Sequence, residues 1–258
     1  MGAITKILIL AVLQGLTEFL PISSSGHLVL AKRLLALESP GATLEVALHG
    51  GTLLAVLVYY RKRIAAILAG LVLREPGQQR FALAIVLGAV PTVLAVVLFR
   101  SRLEALFDRP GLVGGMLLVS GGMLLSLLGL RHARRQLSPA LGFVIGILQA
   151  VALVPGISRS GGTIVAARHL GLEPGKAAEF SLLLSVPCLI GACLLKGCEA
   201  GRTGLGAISL PALLLGVGVA AVVGYAAILV LVRTLKSGKF WLFGIYCCIV
   251  GILGLTCV

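Results

Sequence analysis

Acidic side chains are scarce in this chain. Nine Asp and Glu stand against 22 Lys and Arg, and all charged residues together make up 12% of 258. Aromatics are sparse too, at 5% with a single Trp. These shortages exclude an ordinary soluble domain, in which about a quarter of residues are charged. A formal net charge of +13 would suggest nucleic acid in a soluble protein. A nucleic-acid reader also carries a recognition motif or stacking aromatics, and this chain has neither, so no nucleic-acid partner is expected. The six cysteines, Cys188, Cys193, Cys198, Cys247, Cys248 and Cys257, form no C-x-x-C pair and lie in apolar surroundings. Small packing residues are expected rather than a disulfide frame or a zinc site. What is abundant is apolar sequence: hydrophobic residues are 59% of the chain, the composition of an integral membrane protein.

Residues 1–20 imitate a secretory leader, with Lys6 ahead of an apolar stretch. No small-residue cleavage site follows, and the segment reads as retained mature sequence. Six stretches are long enough to cross a bilayer, at about 43–60, 81–99, 112–130, 177–195, 209–232 and 241–257. Two further segments, 4–37 and 139–172, each hold a short apolar helix, a Pro/Gly/Ser break and a second short helix. Neither half-helix spans a membrane alone, so each segment is expected to be a re-entrant hairpin. Such backbone is tolerated at membrane depth only where protein or a wet cavity surrounds it.

The two breaks are related. One reads Gln14-Gly-Leu-Thr-Glu18-Phe-Leu-Pro21-Ile-Ser23-Ser24-Ser25-Gly26-His27, the other Gln149-Ala-Val-Ala-Leu-Val-Pro155-Gly156-Ile-Ser158-Arg159-Ser160-Gly161-Gly162-Thr163. An offset of 135 residues aligns Gln14 with Gln149, Ser23 with Ser158, Ser25 with Ser160 and Gly26 with Gly161 without a gap. Each half is then one hairpin plus three spans. Three is odd, so the halves insert with opposite orientation and their hairpin tips can meet near the midplane. The expected fold is an all-α polytopic membrane protein with an inverted-topology repeat, six transmembrane helices plus two re-entrant helical hairpins. It is one integral membrane domain over 1–258, with repeat one at about 1–131 and repeat two at about 136–258.

Loop charge sets the expected orientation. One side receives Arg61, Lys62, Arg63, Arg74, Arg80, Arg131, Arg134, Arg135, Arg233, Lys236 and Lys239. The basic residues of the other side are diluted by Glu38, Glu104, Asp108 and Glu199. The more basic side is expected to be cytoplasmic, with both termini and the first hairpin open to the exterior. Gly114, Gly115, Gly121, Gly122, Gly216, Gly218 and Gly224 are expected at close helix contacts. Pro91 and Pro187 fall mid-span, either as kinks around the site or as relics of the repeat.

The second break has the parts of a phosphate cradle. Glycines let backbone approach a ligand, and a helix starting near Gly162 directs N–H groups into the loop. Ser158, Ser160 and Thr163 add hydroxyls, and Arg159 offers a fork that matches phosphate. The Gly-Lys-Ser/Thr ending of a Walker loop is missing. Alternatively, Ser and Gly form a cap and Arg159 pairs internally. The first break supplies proton-transfer chemistry. Gln14 and Glu18 share a helix face that leads to Ser23, Ser24, Ser25 and His27. Glu18 and His27 can move protons, and a Ser beside such a base can act as a nucleophile. Glu18 can also hold a divalent cation against phosphate. The competing reading makes these groups a buried structural network. Glu45 and His49, one turn apart on the first span, either extend the site or form a structural pair.

Gln-x-x-x-Glu with Phe-Leu-Pro-Ile-Ser-Ser-Ser-Gly-His, followed in the second half by Pro-Gly-Ile-Ser-Arg-Ser-Gly-Gly-Thr, resembles the undecaprenyl-diphosphate phosphatases, also called bacitracin-resistance proteins. The resemblance covers essentially the whole chain. It implies a hydrolase that removes the terminal phosphate of undecaprenyl diphosphate and so recycles the lipid carrier of cell-wall synthesis. It also implies a bacterial plasma (inner) membrane, a site open to the outer face, stimulation by magnesium or calcium, and a capacity to form homodimers. The family's functional positions fall on Glu18, Ser24, His27 and Arg159. Gln14, Ser23, Ser25, Gly156, Ser158, Ser160, Gly161 and Thr163 bind substrate around them, and Glu18 is the candidate metal ligand. The family allows Glu or Gln at its first motif position. Gln14 here moves the acid burden to Glu18 and weakens a two-carboxylate metal site. Ser24, water and His27 all remain open as nucleophile. Inverted repeats with broken helices also build transporters, so a lipid-carrier flippase or anion transporter is the competing class.

Overall fold

The computed structural model describes residues 2–34, 41–107, 109–130, 134–203 and 209–256, and every regular element among them is an α-helix. In chain order these are α1 (Ala3–Phe19), α2 (Ser24–Leu34), α3 (Gly41–Tyr59), α4 (Arg61–Val72), α5 (Pro76–Leu106), α6 (Pro110–Leu125), α7 (Pro139–Val151), α8 (Arg159–His169), α9 (Pro174–Thr203), α10 (Leu210–Lys236) and α11 (Leu242–Thr256). Proline opens α5, α6, α7 and α10, where its missing N–H costs nothing and its fixed φ suits the first turn. Ser138 and Ser158 cap α7 and α8 by accepting from Leu141 N–H and Gly161 N–H at 3.3 and 3.1 Å.

Among the described residues, three helices are long and apolar enough to cross a bilayer: α5, α9 over Pro174–Leu195, and α10. Only 17% of the apolar window of α5 is buried inside the protein. A helix apolar all round and bare over most of its surface is solvated by lipid. The other three expected spans form shorter apolar helices, Val46–Tyr59 in α3, Gly111–Leu125 in α6, and α11. Helix α6 ends where the chain turns at Gly129 with φ 73°, and α11 begins just after a similar turn at Gly238 with φ 71°. The amphipathic α4 was not anticipated. Its Arg61-Lys62-Arg63 start reads as loop, yet Arg63 pairs with Glu179 of α9 at 2.6 Å and lies 4.7 Å from the Phe81 ring centroid.

The chief contacts are α11 on α6, α7 on α5, α1 and α3 on α10, and α3 on α9. Helices α6 and α11 approach through paired glycines: a Cβ at Gly114 would lie 3.0 Å from the Gly251 oxygen, and one at Gly244 would lie 2.9 Å from the Gly121 oxygen. Gly216 and Gly224 also sit at tight contacts. Gly115, Gly122 and Gly218, expected there too, meet nothing within 4 Å, because residues one or two apart on a helix face different ways. Inside α5 the non-helical backbone is at Phe99 (φ −125°, ψ 15°), not at Pro91. One buried cluster joins Phe19 and Ile22 of the first hairpin, Ile164 and Val165 of α8, and Ile228, Leu231 and Phe240. It holds the two interhelical breaks against each other.

Candidate active site

The first break turns at Ser23, a non-glycine residue with φ 68°. That left-handed conformation costs on the order of 1–3 kcal/mol and persists only when neighbours enforce it. His27 does so. Its backbone N–H and its Nδ1 both donate to the Ser23 carbonyl, at 3.1 and 2.9 Å. With Nδ1 as donor, His27 Nε2 accepts from Tyr246 O–H of α11 at 2.9 Å, and the two rings stack at a centroid separation of 5.7 Å. The second break turns at Gly156, φ 98°, where a Cβ would lie 2.5 Å from the Val113 carbonyl oxygen; only glycine fits. Ser120 of α6 clamps this loop, donating to Gly156 O at 2.9 Å and accepting from Ser158 N–H at 3.0 Å.

The loops touch. Ser160 Oγ donates to Leu20 O at 3.3 Å. Cβ atoms built at Gly26 and Gly161 would lie 3.2 Å from Gly156 Cα and 3.1 Å from Pro21 Cβ. The contact ends in an ion pair: Arg159 Nη2 donates to Glu18 Oε1. The other carboxylate oxygen, Oε2, accepts from Gln14 Nε2 and from Ser24 Oγ, each at 2.9 Å. His49 Nδ1 lies 3.0 Å from Gln14 Nε2 and 3.8 Å from Glu18 Oε2. The nearby carboxylate fixes the Gln14 amide with its NH₂ toward Glu18, because the reverse would set oxygen against oxygen.

A cavity of about 210 Å³ opens beside this pair. Of the residues expected at the site, Glu18, Ser23, Ser24, Ser25, Ser158 and Arg159 line it, and so does His49. Gln14 touches Glu18 from behind. Gly156, Ser160, Gly161 and Thr163 are absent from the cavity wall among the described residues. They shape the loop: Thr163 Oγ1 is engaged with Arg159 O at 2.8 Å and Ser181 Oγ at 2.6 Å. Two of the loop amides expected to receive phosphate, Ser158 N–H and Gly161 N–H, are already bonded to Ser120 and Ser158 hydroxyls. His27 also stands off the wall, with both ring nitrogens committed. The Glu45 side chain lies outside the described residues. Thr92, Phe107 and Cys188 line the cavity without having been singled out. Thr92 and Cys188 come from the apolar helices α5 and α9, Phe107 follows the last residue of α5, and nothing in the local sequence marks any of them. Thr17 and Gln149 also line it, and the rest of the wall is apolar, with Ala152, Leu153, Ile157, Leu189 and Ala192, a surface suited to hydrocarbon.

Among the described residues no group of three or more His, Cys, Asp or Glu could hold a metal. Gln14 Oε1 is buried without a hydrogen-bond partner. The amide nitrogen is the end turned to Glu18, so this oxygen points away from the carboxylate, and Glu18 is the one hard ligand of the pair that a cation held by substrate phosphates and water could use.

This arrangement can bind an anion through Arg159 and can draw a proton from Ser24 with the carboxylate of Glu18. The comparisons agree in kind. A family model described as "Bacitracin resistance protein BacA" matches residues 7–253. A protein named undecaprenyl-diphosphatase from Desulfosudis oleivorans is 42% identical over 264 residues, covering 94% of each chain. Proteins of the same name from Salinibacter ruber and Desulforapulum autotrophicum are 41% and 37% identical, over 96% of this chain and 97% and 95% of theirs. With its helical, multi-pass architecture, its paired polar breaks and a match along nearly its whole length, the chain belongs to the bacitracin-resistance protein BacA family.

Proposed function

We propose that this protein hydrolyses undecaprenyl diphosphate to undecaprenyl phosphate and inorganic phosphate, recycling the lipid carrier of cell-wall synthesis. The observation that carries the reading is the Glu18 carboxylate, held by Arg159 from one loop and hydrogen-bonded to the Ser24 hydroxyl of the other. The diphosphate enters the cavity and its charge draws Arg159. The prenyl chain follows the apolar wall of Leu153, Ile157 and Leu189 toward lipid. Ser24 Oγ attacks the terminal phosphorus in line with the departing lipid phosphate, and Glu18 takes the Ser24 proton and passes it to that departing phosphate. Arg159 and Ser158 stabilise the charge on the transferring phosphoryl, which is where most catalysis of such transfers lies. Water then releases phosphate from Ser24. Glu18 would be the protein ligand of a magnesium or calcium ion, which would neutralise phosphate charge when bound.

The membrane arrangement belongs to the same proposal. Several observations support two oppositely inserted re-entrant hairpins. Shifted by 135 residues, the bounds of α2 coincide with those of α8. Helix α1 packs on α10 while α7 packs on α5, its counterpart under that shift. The chain enters and leaves the second hairpin at one place, since Arg135 N–H donates to Gly171 O at 2.9 Å and Arg134 lies 3.6 Å from Glu173. The first hairpin then opens to the outer face of the bacterial plasma membrane, the basic loops face the cytoplasm, and two copies can associate as a homodimer.

Phosphate release from undecaprenyl diphosphate by the purified protein in detergent, with magnesium and without any gradient, is the test. Release supports an enzyme. Movement of the lipid across liposomes without release would make it a transporter and overturn the proposal.

A further inference from the structure

A second cavity, of about 290 Å³, opens at the far end of α8 from Arg159, where α6 and α10 also end and α9 begins. Arg168, Lys236 and Trp241 line it, with Leu127, Leu130 and Phe240. It shares no wall residue with the cavity beside Glu18. No acid stands in its wall among the described residues; Glu173, just before α9, lies 3.6 Å from Arg134 and 3.8 Å from Lys176. Arg168 is 7% exposed. Its Nη1 donates to Leu172 O past the end of α8, while Nε and Nη2 have no partner among the described residues. Guanidinium nitrogens only donate, so no other assignment satisfies them. A cation this deep without a counter-charge is costly. The carbonyl ends of α6, α8 and α10 offset part of that charge, and capping α8 accounts for Nη1 alone. Lys236 adds a second cation beside the start of α9, where a Cβ built on Gly175 would lie 3.6 Å from its Cε. A helix N-terminus favours an anion as well.

We propose that this cavity binds the phosphate of an anionic phospholipid. The group that completes Arg168 must accept hydrogen bonds and carry negative charge, and phosphate oxygens match the guanidinium fork. Free phosphate shares that chemistry; the wall favours a lipid. Leu127, Leu130 and Phe240 are apolar, and Trp241 is the single Trp of the chain, a residue type that settles at head-group level. The cavity also lies on the more basic side, with Arg233 and Lys239 close in sequence, and such juxtamembrane charge gathers anionic lipid. A choline head group would bring its own cation toward Lys236, so the site selects a lipid with net negative charge.

The test is native mass spectrometry of the detergent-purified protein titrated with phosphatidylglycerol or phosphatidylcholine. Wild type is read beside Arg168→Gln, Lys236→Gln and Lys62→Gln; Lys62 is exposed on the same basic side but outside the cavity. Wild type should bind one phosphatidylglycerol about tenfold tighter than phosphatidylcholine. Lys236→Gln should weaken phosphatidylglycerol about fivefold, the effect of one cation near a charged head group. Arg168→Gln, which loses charged hydrogen bonds, should weaken it about tenfold or more. Lys62→Gln should leave it unchanged. Lys236 is exposed, so its variant keeps the fold and reads the site even where Arg168→Gln does not. Equal affinity for the two lipids, wild-type affinity in Lys236→Gln, or equal weakening in Lys62→Gln, as a diffuse basic surface would give, would each overturn the inference. Excess inorganic phosphate should not displace the lipid; displacement would make the ligand free phosphate and overturn the lipid assignment.

Discussion

Glu18 and Arg159, 141 residues apart in the chain, form an ion pair where the two interhelical loops meet. The carboxylate is the more deeply placed partner, with its side chain 3% exposed against 20% for the guanidinium. Two ions taken from water this far repay their desolvation only through good geometry and further hydrogen bonds. Gln14 and Ser24 supply those bonds. The pair costs the fold something and places opposite charges where a phosphate must exchange one partner for another, so its value lies in the chemistry.

Arg159→Ala should lower kcat about a hundredfold or more, the loss expected when a charged donor to the transferring phosphoryl is removed. Arg159→Lys should recover little, because an ammonium cannot reproduce the planar fork. Steady-state phosphate release by the two variants checks this, with melting temperature in detergent recorded alongside.

Ser24→Ala should abolish phosphoserine on acid quench and reduce turnover to background. Glu18→Gln keeps a hydrogen-bonding oxygen but cannot take the Ser24 proton, so a large loss of rate with intact folding is expected. The pH–rate profile is the second readout: wild type should show an acidic limb as Glu18 is protonated, and that limb should vanish with Glu18→Gln.

His27 offers a sharper distinction. Its ring serves the strained Ser23 carbonyl and Tyr246, and does not line the cavity. Asn can donate to the same carbonyl, so His27→Asn should keep activity within about tenfold of wild type while His27→Ala loses far more. Tyr246→Phe should cost about 1 kcal/mol of stability or less, one half-buried hydrogen bond, with little change in rate. A base acting in the cavity would make Asn and Ala equally inactive.

Much of this site was legible before the fold was known, and the limits are physical. Glu18, Ser24 and Arg159 stand out because lipid gives ionisable groups and irregular backbone no partners, so their presence in apolar sequence needs a reason. His27 stood out for the same reason, but its partner Tyr246 is 219 residues away, and no local pattern announces a contact of that range. Ser120, Thr92 and Cys188 were missed for the same cause: each is a small polar residue in an apolar helix, and only packing reveals which way it faces. Helix α4 was missed because a run of three basic residues looks like loop, although an ion pair to Glu179 anchors it. The crossings of α5, α9 and α10 were readable from length and hydropathy alone.

Ser120 tests the clamp on the second loop. Ser120→Ala leaves a buried carbonyl at Gly156 and a buried N–H at Ser158 without their partner. A loss of about 1–3 kcal/mol is expected from such unpaired groups, visible as a lower melting temperature. Turnover should fall less than in Arg159→Ala.

The most direct measurement is a double-mutant cycle on the ion pair itself. It compares kcat for phosphate release from undecaprenyl diphosphate by wild type, Glu18→Gln, Arg159→Ala and the combined variant. If the two residues act as one unit across the loop contact, the combined variant should be about as slow as the worse single variant, far from the product of the two losses. Losses that simply multiply would mean that Glu18 and Arg159 act independently, and would contradict an active site built from both loops.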